Sequence, residues 1–491
     1  MGKNILKVFP LTDKPSGWQV LLLFSLLVVI LRFFSFFPSV IDHDESTYLE
    51  MARQLLAGKV LYEDMIDIKP PGIFLILAGF QAVFGYSIFF IRLLVALWIG
   101  VTAFMIFKTG KLLFNDHNAS FAAGIIYILF ISTWSFYGIS ITPEIFFNLF
   151  TILSLYLLVK NDSVWNYLFA GLLAGMGFVV KYFVLVDFAV FILFFLFLYK
   201  RENVQRRPAS KIILSLMMAG VGLILPFGLT NLYFYVTGHW DAFFNIIYLA
   251  PQRYPSPINP VKMSKFLLDF QLRFFPIFFF FYYSLFDKSL KSRRIANIKG
   301  LLLFWSLTSL FAVVISGNHY GHYTIQLMLP VSLMAGLFFH SERSLPSYLH
   351  WMTAKRIGLI VLVSMILLIT AMKLEYVIRQ DTPREVANYL RPRLKESDVL
   401  YTGNYHHILY YLLKKDSPTP YIHRTLLIDE GHIKTLNIDA TVEFQKIINQ
   451  RPLYIMTQKE YPQGMMKDHI INNYTVEKDF GNRVLLWRRV D

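Results

Sequence analysis

The chain has 491 residues, of which 55% are hydrophobic, 17% aromatic and only 16% charged, with a net charge of +15. About a quarter of the residues of a soluble globular domain are charged. A soluble enzyme is therefore excluded, and the Lys and Arg gather in short loops between apolar runs rather than in a nucleic-acid-binding patch. The absence of cysteine removes disulfides, thiol nucleophiles and Cys-based metal centres.

Lys3, Lys7 and Lys14 precede an apolar run over 20–37. The run is long for a signal h-region and no small-residue cleavage site follows it, so it is read as a retained first span, 18–37. The next stretch, 41–72, is the densest in charge near an apolar segment. In it, 46–57 is an amphipathic helix expected to lie on the surface. Tyr48, Met51, Ala52, Leu55 and Leu56 form its apolar face, and Glu50, Arg53 and Gln54 the polar one. Asp44 or Ser46 can cap its start, and Gly58 can stop it.

The apolar segment 71–84 is too short to span comfortably. If it crossed, Lys108, Lys111 and the later basic loops would fall outside. If it stays at the surface, every basic loop falls inside, as the positive-inside rule asks. The second reading gives further spans at 87–107, 118–137, 144–160, 165–180, 183–199, 212–236, 266–286, 300–317, 321–339 and 357–378, about eleven in all. The loop 200–211, with Lys200, Arg201, Arg206, Arg207 and Lys211, then lies inside. So does the loop carrying Lys288, Lys291, Arg293, Arg294 and Lys299. On the outer face come together the loop 38–86, Thr142–Pro143–Glu144, Lys181, the loop 238–262 and the 318–323 segment. Residues 380–491 are more polar, with β-like runs at 399–402, 453–457 and 484–487 between helical stretches at 384–394, 406–414 and 441–449. They read as a small extracytoplasmic α/β domain. The fold class is thus a mainly α polytopic membrane protein, 1–379, with a C-terminal α/β domain, 380–491.

An outer-face carboxylate suits a general base that deprotonates a hydroxyl, and a Lys at headgroup level suits a phosphate. Together they describe glycosyl transfer from a lipid-phosphate sugar, where phosphate leaves unprotonated and no acid for the leaving group is needed. Asp44–Glu45 with Tyr48 and Ala52, Leu56–x–Gly58, Tyr62, Asp67 and Lys69–Pro70–Pro71 resembles the first outer loop of GT-C glycosyltransferases. The nearest branch is that of protein O-mannosyltransferases and aminoarabinose lipid A transferases. Phe84–Gly85, Arg92–Leu93, Thr142–Pro143–Glu144 and His322–Tyr323 followed by Pro330 fit the same pattern, over about 20–340.

The resemblance implies a polyprenyl-phosphate-linked sugar donor, an acceptor hydroxyl or phosphate on lipid A, glycan or protein, an inverting reaction, and a bacterial inner-membrane location. It matches Asp44 to the catalytic aspartate, Glu144 to a second acidic position and Lys69 to the residue meeting the lipid phosphate. Glu45, Tyr48 and Tyr62 enter as binding residues from the same motif, and Lys181, Arg253, Tyr254, His319, His322 and Tyr323 from the other outer segments. No cofactor is demanded by these motifs; Asp67 and His319 are the candidates for a divalent metal. Some members carry Glu directly before the Lys, where Ile68 stands here. Plainer readings stand beside these: Asp44 as an N-cap, Glu144 as a helix start beside the macrodipole, Lys69 as a snorkelling residue. The rival functions are a lipid-linked-sugar flippase or a non-catalytic envelope-binding protein.

Overall fold

The structure is a computed structural model that describes residues 16–133, 136, 138–198, 208–254, 258–342, 356, 363–364, 380–458, 461, 464–481 and 483–490. The chain opens with α1 (Gly17–Arg32), extended by a 3-10 turn, Phe33–Phe36. Two short helices follow, α2 (His43–Leu56) and α3 (Gly72–Phe84). The bundle continues with α4 (Ile88–Phe114), α5 (His117–Ile131), α6 (Pro143–Lys160), α7 (Val164–Val180), α8 (Val184–Leu193) and α9 (Ala209–Val236). The short helices α10 (Trp240–Phe244) and α11 (Ala250–Arg253) lead to α12 (Pro260–Arg273), α13 (Phe275–Phe286) and α14 (Arg293–Ile315), then to a 3-10 segment, Gly321–Leu327, and α15 (Met328–Gly336).

Six of the expected spans are long and apolar enough to cross a membrane: Gly17–Phe36, Ile88–Phe114, Pro143–Lys160, Ala209–Val236, Arg293–Ile315 and Gly321–Phe339. Three more, α5, α7 and α8, are shorter apolar helices. The span expected at 357–378 and most of the 200–211 loop lie outside the described residues. The span expected at 266–286 is corrected: α12 and α13 meet at 93°. Pro276, in the first turn of α13, has no N–H to give and its ring clashes with the carbonyl four residues back, so α12 cannot run through it.

The helix ends sort into two layers. At one end Arg294 donates to the carbonyls of Leu112 (2.6 Å) and Leu113 (3.1 Å), Lys211 pairs with Asp162 (2.9 Å), and Asp116 accepts from Ser341 N–H at 3.2 Å. Lys111, Lys160 and Lys299 lie at this same end of α4, α6 and α14. At the other end lie α2, α3 and the polar segments. Helix α3 starts and finishes there. Gly72 abuts α7 so closely that a Cβ would stand 2.7 Å from Val179 O. Past the far end of α3, Arg92 in the first turns of α4 donates to Ser35 O and Pro38 O. At 1.5 Å per residue its 13 residues fall well short of a bilayer core of about 30 Å. Helices α7 and α9 touch backbone to backbone, through Gly171 against Ala219 O and Gly222 against Leu168 O, the small-residue contact favoured between helices in lipid.

Beyond residue 380 a four-stranded sheet has the order β1-β2-β4-β3, from β1 (Leu400–Tyr401), β2 (Tyr454–Gln458), β3 (Tyr474–Asp479) and β4 (Val484–Arg489). Strand β1 runs parallel to β2; the other two pairs are antiparallel. Strand β3 escaped the sequence because its alternation is weak: only Tyr474 is buried. This domain sits on α2. Ile66 N–H donates to Pro420 O (2.9 Å), Thr47 Oγ1 meets His407 Nε2 (2.9 Å), and Arg53 reaches Asp416 (2.8 Å). The expected surface helix is therefore buried on both faces. Glu50, Arg53 and Gln54 are 0%, 7% and 3% exposed. They remain tolerable there because Arg53 and Gln54 both bond Glu50, at 2.7 and 2.8 Å, leaving no unpaired buried charge. The cap is also corrected: Asp42, rather than Asp44 or Ser46, accepts from the helix start, at His43 N (2.7 Å).

Candidate active site

Capping by Asp42 frees Asp44, in the first turn of α2, to point into a cavity. Its Oδ2 lies 3.2 Å from Tyr48 OH and 3.5 Å from Lys69 Nζ, and its Oδ1 lies 3.6 Å from His423 Nε2. Lys69 Nζ is also 3.3 Å from Asp67 Oδ1 and 5.1 Å from the centre of the Tyr48 ring. The Lys69 backbone is pinned on both sides. Its N–H donates to Asp67 Oδ1 (3.0 Å), and its carbonyl accepts from Tyr62 OH (2.8 Å). Tyr62 itself has φ 72°, an unusual conformation for a bulky residue that turns its ring back under Lys69.

Burial alone would raise the Asp44 carboxyl, but the Lys69 ammonium, then His423 and His322, outweigh it and hold Asp44 well below the usual carboxylate range. Lys69 is the mirror case: burial pulls it down, and Asp44 with Asp67 lifts it above an ordinary lysine. Asp42, buried beside the charges of Asp44 and Glu45, is pushed up to about 7. At neutral pH the site thus holds an ionised Asp44 against a charged Lys69.

The cavity measures about 490 Å³ and is lined by Asp42, Asp44, Asp67, Lys69, Lys181, Tyr254, Tyr320, His322 and Tyr323, with His423, Thr425, His432 and Thr435 from the C-terminal domain. Lys181 stands at the end of α7 with its ammonium 3.8 Å from the centre of the Tyr323 ring. Behind it, at the start of α6, Glu144 is fully buried and ion-paired to Lys181. Asp44, Lys69, Lys181, Tyr254, His322, Tyr323 and Asp67 therefore come together as cavity wall, with Tyr48 and Tyr62 bracing Asp44 and Lys69.

Other sequence candidates lie elsewhere. Glu144 reaches the cavity only through Lys181. Glu45 is 1% exposed, and its carboxylate bonds Arg92 Nε (2.6 Å) and Ile141 N (3.1 Å). Arg253 is exposed and bonds Asn245 (3.1 Å). His319 packs on Phe266 away from the cavity. Among the described residues no three His, Cys, Asp or Glu gather as a ligand set. Between Asp44 and Asp67, where a cation would sit, the ammonium of Lys69 already stands.

The sequence reading missed a histidine cluster that joins the domain to α2. His43 stacks on His406 (4.7 Å between centroids), His407 lies 5.0 Å from His423, and His407 Nε2 is 3.0 Å from His43 O. The adjacent pair His406–His407 was the available signal, but nothing local ties it to His43. Burial, aided by Arg424, holds His43 down to about 2 and His406 to about 4; burial also lowers His423, to about 3. A histidine whose pKa is depressed on docking binds fewer protons than in the free chain, so stability rises with pH between these values and about 6.5. Acidification from pH 6.5 towards 4 is expected to lower the melting temperature of the purified protein progressively. In His406→Gln with His407→Gln the slope flattens. An unchanged slope would remove the cluster as its origin.

Residues 68–228 match the family model for dolichyl-phosphate-mannose-protein mannosyltransferase. The fold is similar to the crystal structure of ArnT from Cupriavidus metallidurans bound to undecaprenyl phosphate. The TM-score is 0.67 at 16% identity, over 96% of this chain and 98% of that one. It is also similar to apo ArnT from the same organism, with a TM-score of 0.64 at 14% identity and the same coverage. No curated protein sequence matches the chain. The helical bundle, the domain seated on its first loop and the apolar spans together make this an integral membrane protein with a fold similar to that of ArnT.

Proposed function

We propose that the protein is a glycosyltransferase that moves a sugar from a polyprenyl-phosphate donor to an acceptor on the side of the membrane where α2 and α3 lie. The observation that carries the reading is the pairing, in one cavity, of an ionised Asp44 with Lys69 3.5 Å away. It is supported by the family match and by a fold shared with a protein whose structure contains undecaprenyl phosphate.

Asp44 acts as general base on the acceptor. Lys69 and Lys181 take the phosphate, whose negative charge grows as the bond to the sugar breaks, and Glu144 holds Lys181 in place. The positive charge needed at the leaving group comes from these lysines. A single displacement with one base inverts the anomeric centre. The basic loops crowd the opposite end of the bundle, so by the positive-inside rule the site faces the outer side, in bacteria the periplasmic face of the inner membrane. A flippase would place its polar site near the bilayer midplane, whereas this cavity lies at the bundle's end, under the domain.

Lys69→Ala is expected to weaken binding of undecaprenyl phosphate to the purified protein by about 10- to 100-fold, the range for a charge-assisted hydrogen bond. Titration with the fluorescent lipid reads the change. An unaltered Kd in a folded variant would overturn the phosphate role.

A further inference from the structure

The two oxygens of Asp44 are unequally occupied. Oδ2 has Tyr48 OH at 3.2 Å and Lys69 Nζ at 3.5 Å, both from the first loop. Oδ1 faces the C-terminal domain, where its neighbour is His423 Nε2 at 3.6 Å. His423 Nδ1 accepts from Thr425 N–H (3.3 Å) and lies 2.8 Å from Thr425 Oγ1. The neutral ring therefore carries its proton on Nε2, directed at Oδ1. Oδ1 thus lies on the domain side of the cavity, whose wall includes Thr425, His432 and Thr435 from the domain and Tyr254 and Tyr320 from the bundle's outer loops.

This wall differs in chemistry from the bundle side. Both cavity lysines, Lys69 and Lys181, come from the bundle and its loops; among the described residues the domain lines the cavity with no Lys or Arg. Its polar groups are the hydroxyls of Thr425 and Thr435 and the imidazoles of His423 and His432, and burial keeps His423 neutral. An acceptor phosphate would arrive beside Asp42, Asp44 and Asp67 with no cation on its own side, a like-charge approach that costs affinity. It would also need no base, since phosphate is already ionised. A hydroxyl needs one.

The ring faces add a second constraint. Tyr254 and His432 are 6.2 Å apart between centroids, and Tyr254 OH is 3.5 Å from Tyr320 OH. Flat faces interleaved with hydrogen-bonding tips suit a sugar ring, which has an apolar face and a rim of hydroxyls. The domain's part of the wall is a helix, Glu430–Leu436, with the loop before it, and so offers no strand edge for an extended peptide to pair with.

Resting on the glycosyl-transfer reading above, we infer that the C-terminal domain is the acceptor half of the active site and that the acceptor is an uncharged saccharide hydroxyl. The hydroxyl proton passes to Asp44 Oδ1 as its oxygen bonds the anomeric carbon. The bond from that carbon to the phosphate oxygen breaks, and its electron pair leaves with the phosphate.

The test uses the full chain in detergent with radiolabelled polyprenyl-phosphate sugar and three probes: dodecyl maltoside, dihexadecyl phosphate and a Ser/Thr-rich peptide. Label is expected on dodecyl maltoside, at least about tenfold above the other two, since dihexadecyl phosphate brings a like charge beside the cavity carboxylates and the peptide has no sugar ring to lay on the aromatic faces. Thr425→Val combined with His432→Ala should lower that transfer about tenfold or more while undecaprenyl phosphate still binds as in wild type. Preferential label on dihexadecyl phosphate or peptide overturns the saccharide assignment and leaves the transferase standing. So does donor hydrolysis by wild type, but not by Asp44→Asn, with no label on dodecyl maltoside. Undiminished transfer in the Thr425/His432 variant overturns the role of the wall. Donor left intact with every probe and with water would overturn the transferase reading itself.

Discussion

Asp44→Asn is expected to lower sugar transfer by about 10²- to 10⁴-fold, the range attributed to a positioned general base. The substitution is isosteric, so Tyr48 OH can still bond the side chain and α2 keeps its Asp42 cap. What it removes is the negative charge facing the acceptor and the ion pair with Lys69. The loss should fall on kcat. Undecaprenyl phosphate binding should hold or tighten, because Lys69 is released from one of its two carboxylates. Single-turnover transfer with labelled donor, beside a lipid-binding isotherm, separates the two. A folded variant with undiminished transfer would remove Asp44 from the mechanism. The pH profile gives an independent check. Asp44 is held below the usual carboxylate range by Lys69 against the pull of burial, so its protonation cannot cause a rate loss between pH 7 and 5. An acid limb in that window belongs instead to Asp42, which burial and the charges of Asp44 and Glu45 push up to about 7.

The second large effect concerns stability. Arg92→Ala is expected to destabilise the protein by about 3–5 kcal/mol, because it strands Glu45 as a buried, unpaired carboxylate. The Arg92 guanidinium bonds Glu45 Oε1 (2.6 Å), Ser35 O (2.8 Å) and Pro38 O (2.5 Å), while Glu45 Oε2 accepts from Ile141 N (3.1 Å). One ion pair thus fastens the start of α2 to the end of α1, to α4 and to the approach to α6. Arg32 adds bonds to the carbonyls of Ile131, Gly138 and Ile139 in the same region. Removing both charges, as Arg92→Met with Glu45→Leu, should recover much of the loss, since a buried pair replaced by apolar groups of like size is often neutral. Melting of the purified variants reads both outcomes. If Arg92→Ala melts with wild type, Glu45 is not part of a latch, and its motif position again points to substrate.

That contrast marks how far the sequence could be read. The charge parity of the loops placed α2, α3, Thr142–Glu144, Lys181 and His322 at one end of the bundle, because basic-loop asymmetry and apolar length are properties of the chain itself. Asp44 and Lys69 stood out for the same reason: charge beside lipid is costly wherever it lies. Which carboxylate faces the cavity and which a buried partner was not legible. Glu45 is one residue from Asp44, and its role is fixed by an arginine 47 positions on. The bend at Phe274 had a local signal in Pro276 that the apolar run around it masked. The burial of α2 had none, since its cover comes from the far end of the chain.

That cover bears on when the protein can work during its own synthesis. Helix α2 is among the first parts of the chain to be made, yet Thr47 and His43 meet a histidine about 360 positions later. Until the last domain has emerged and seated itself, the base has no opposite wall and the cavity is open to water. A half-made chain can insert in the bilayer but has nowhere to bind an acceptor. On the proposed glycosyl-transfer reading, this order ties acceptor binding to completion of the fold.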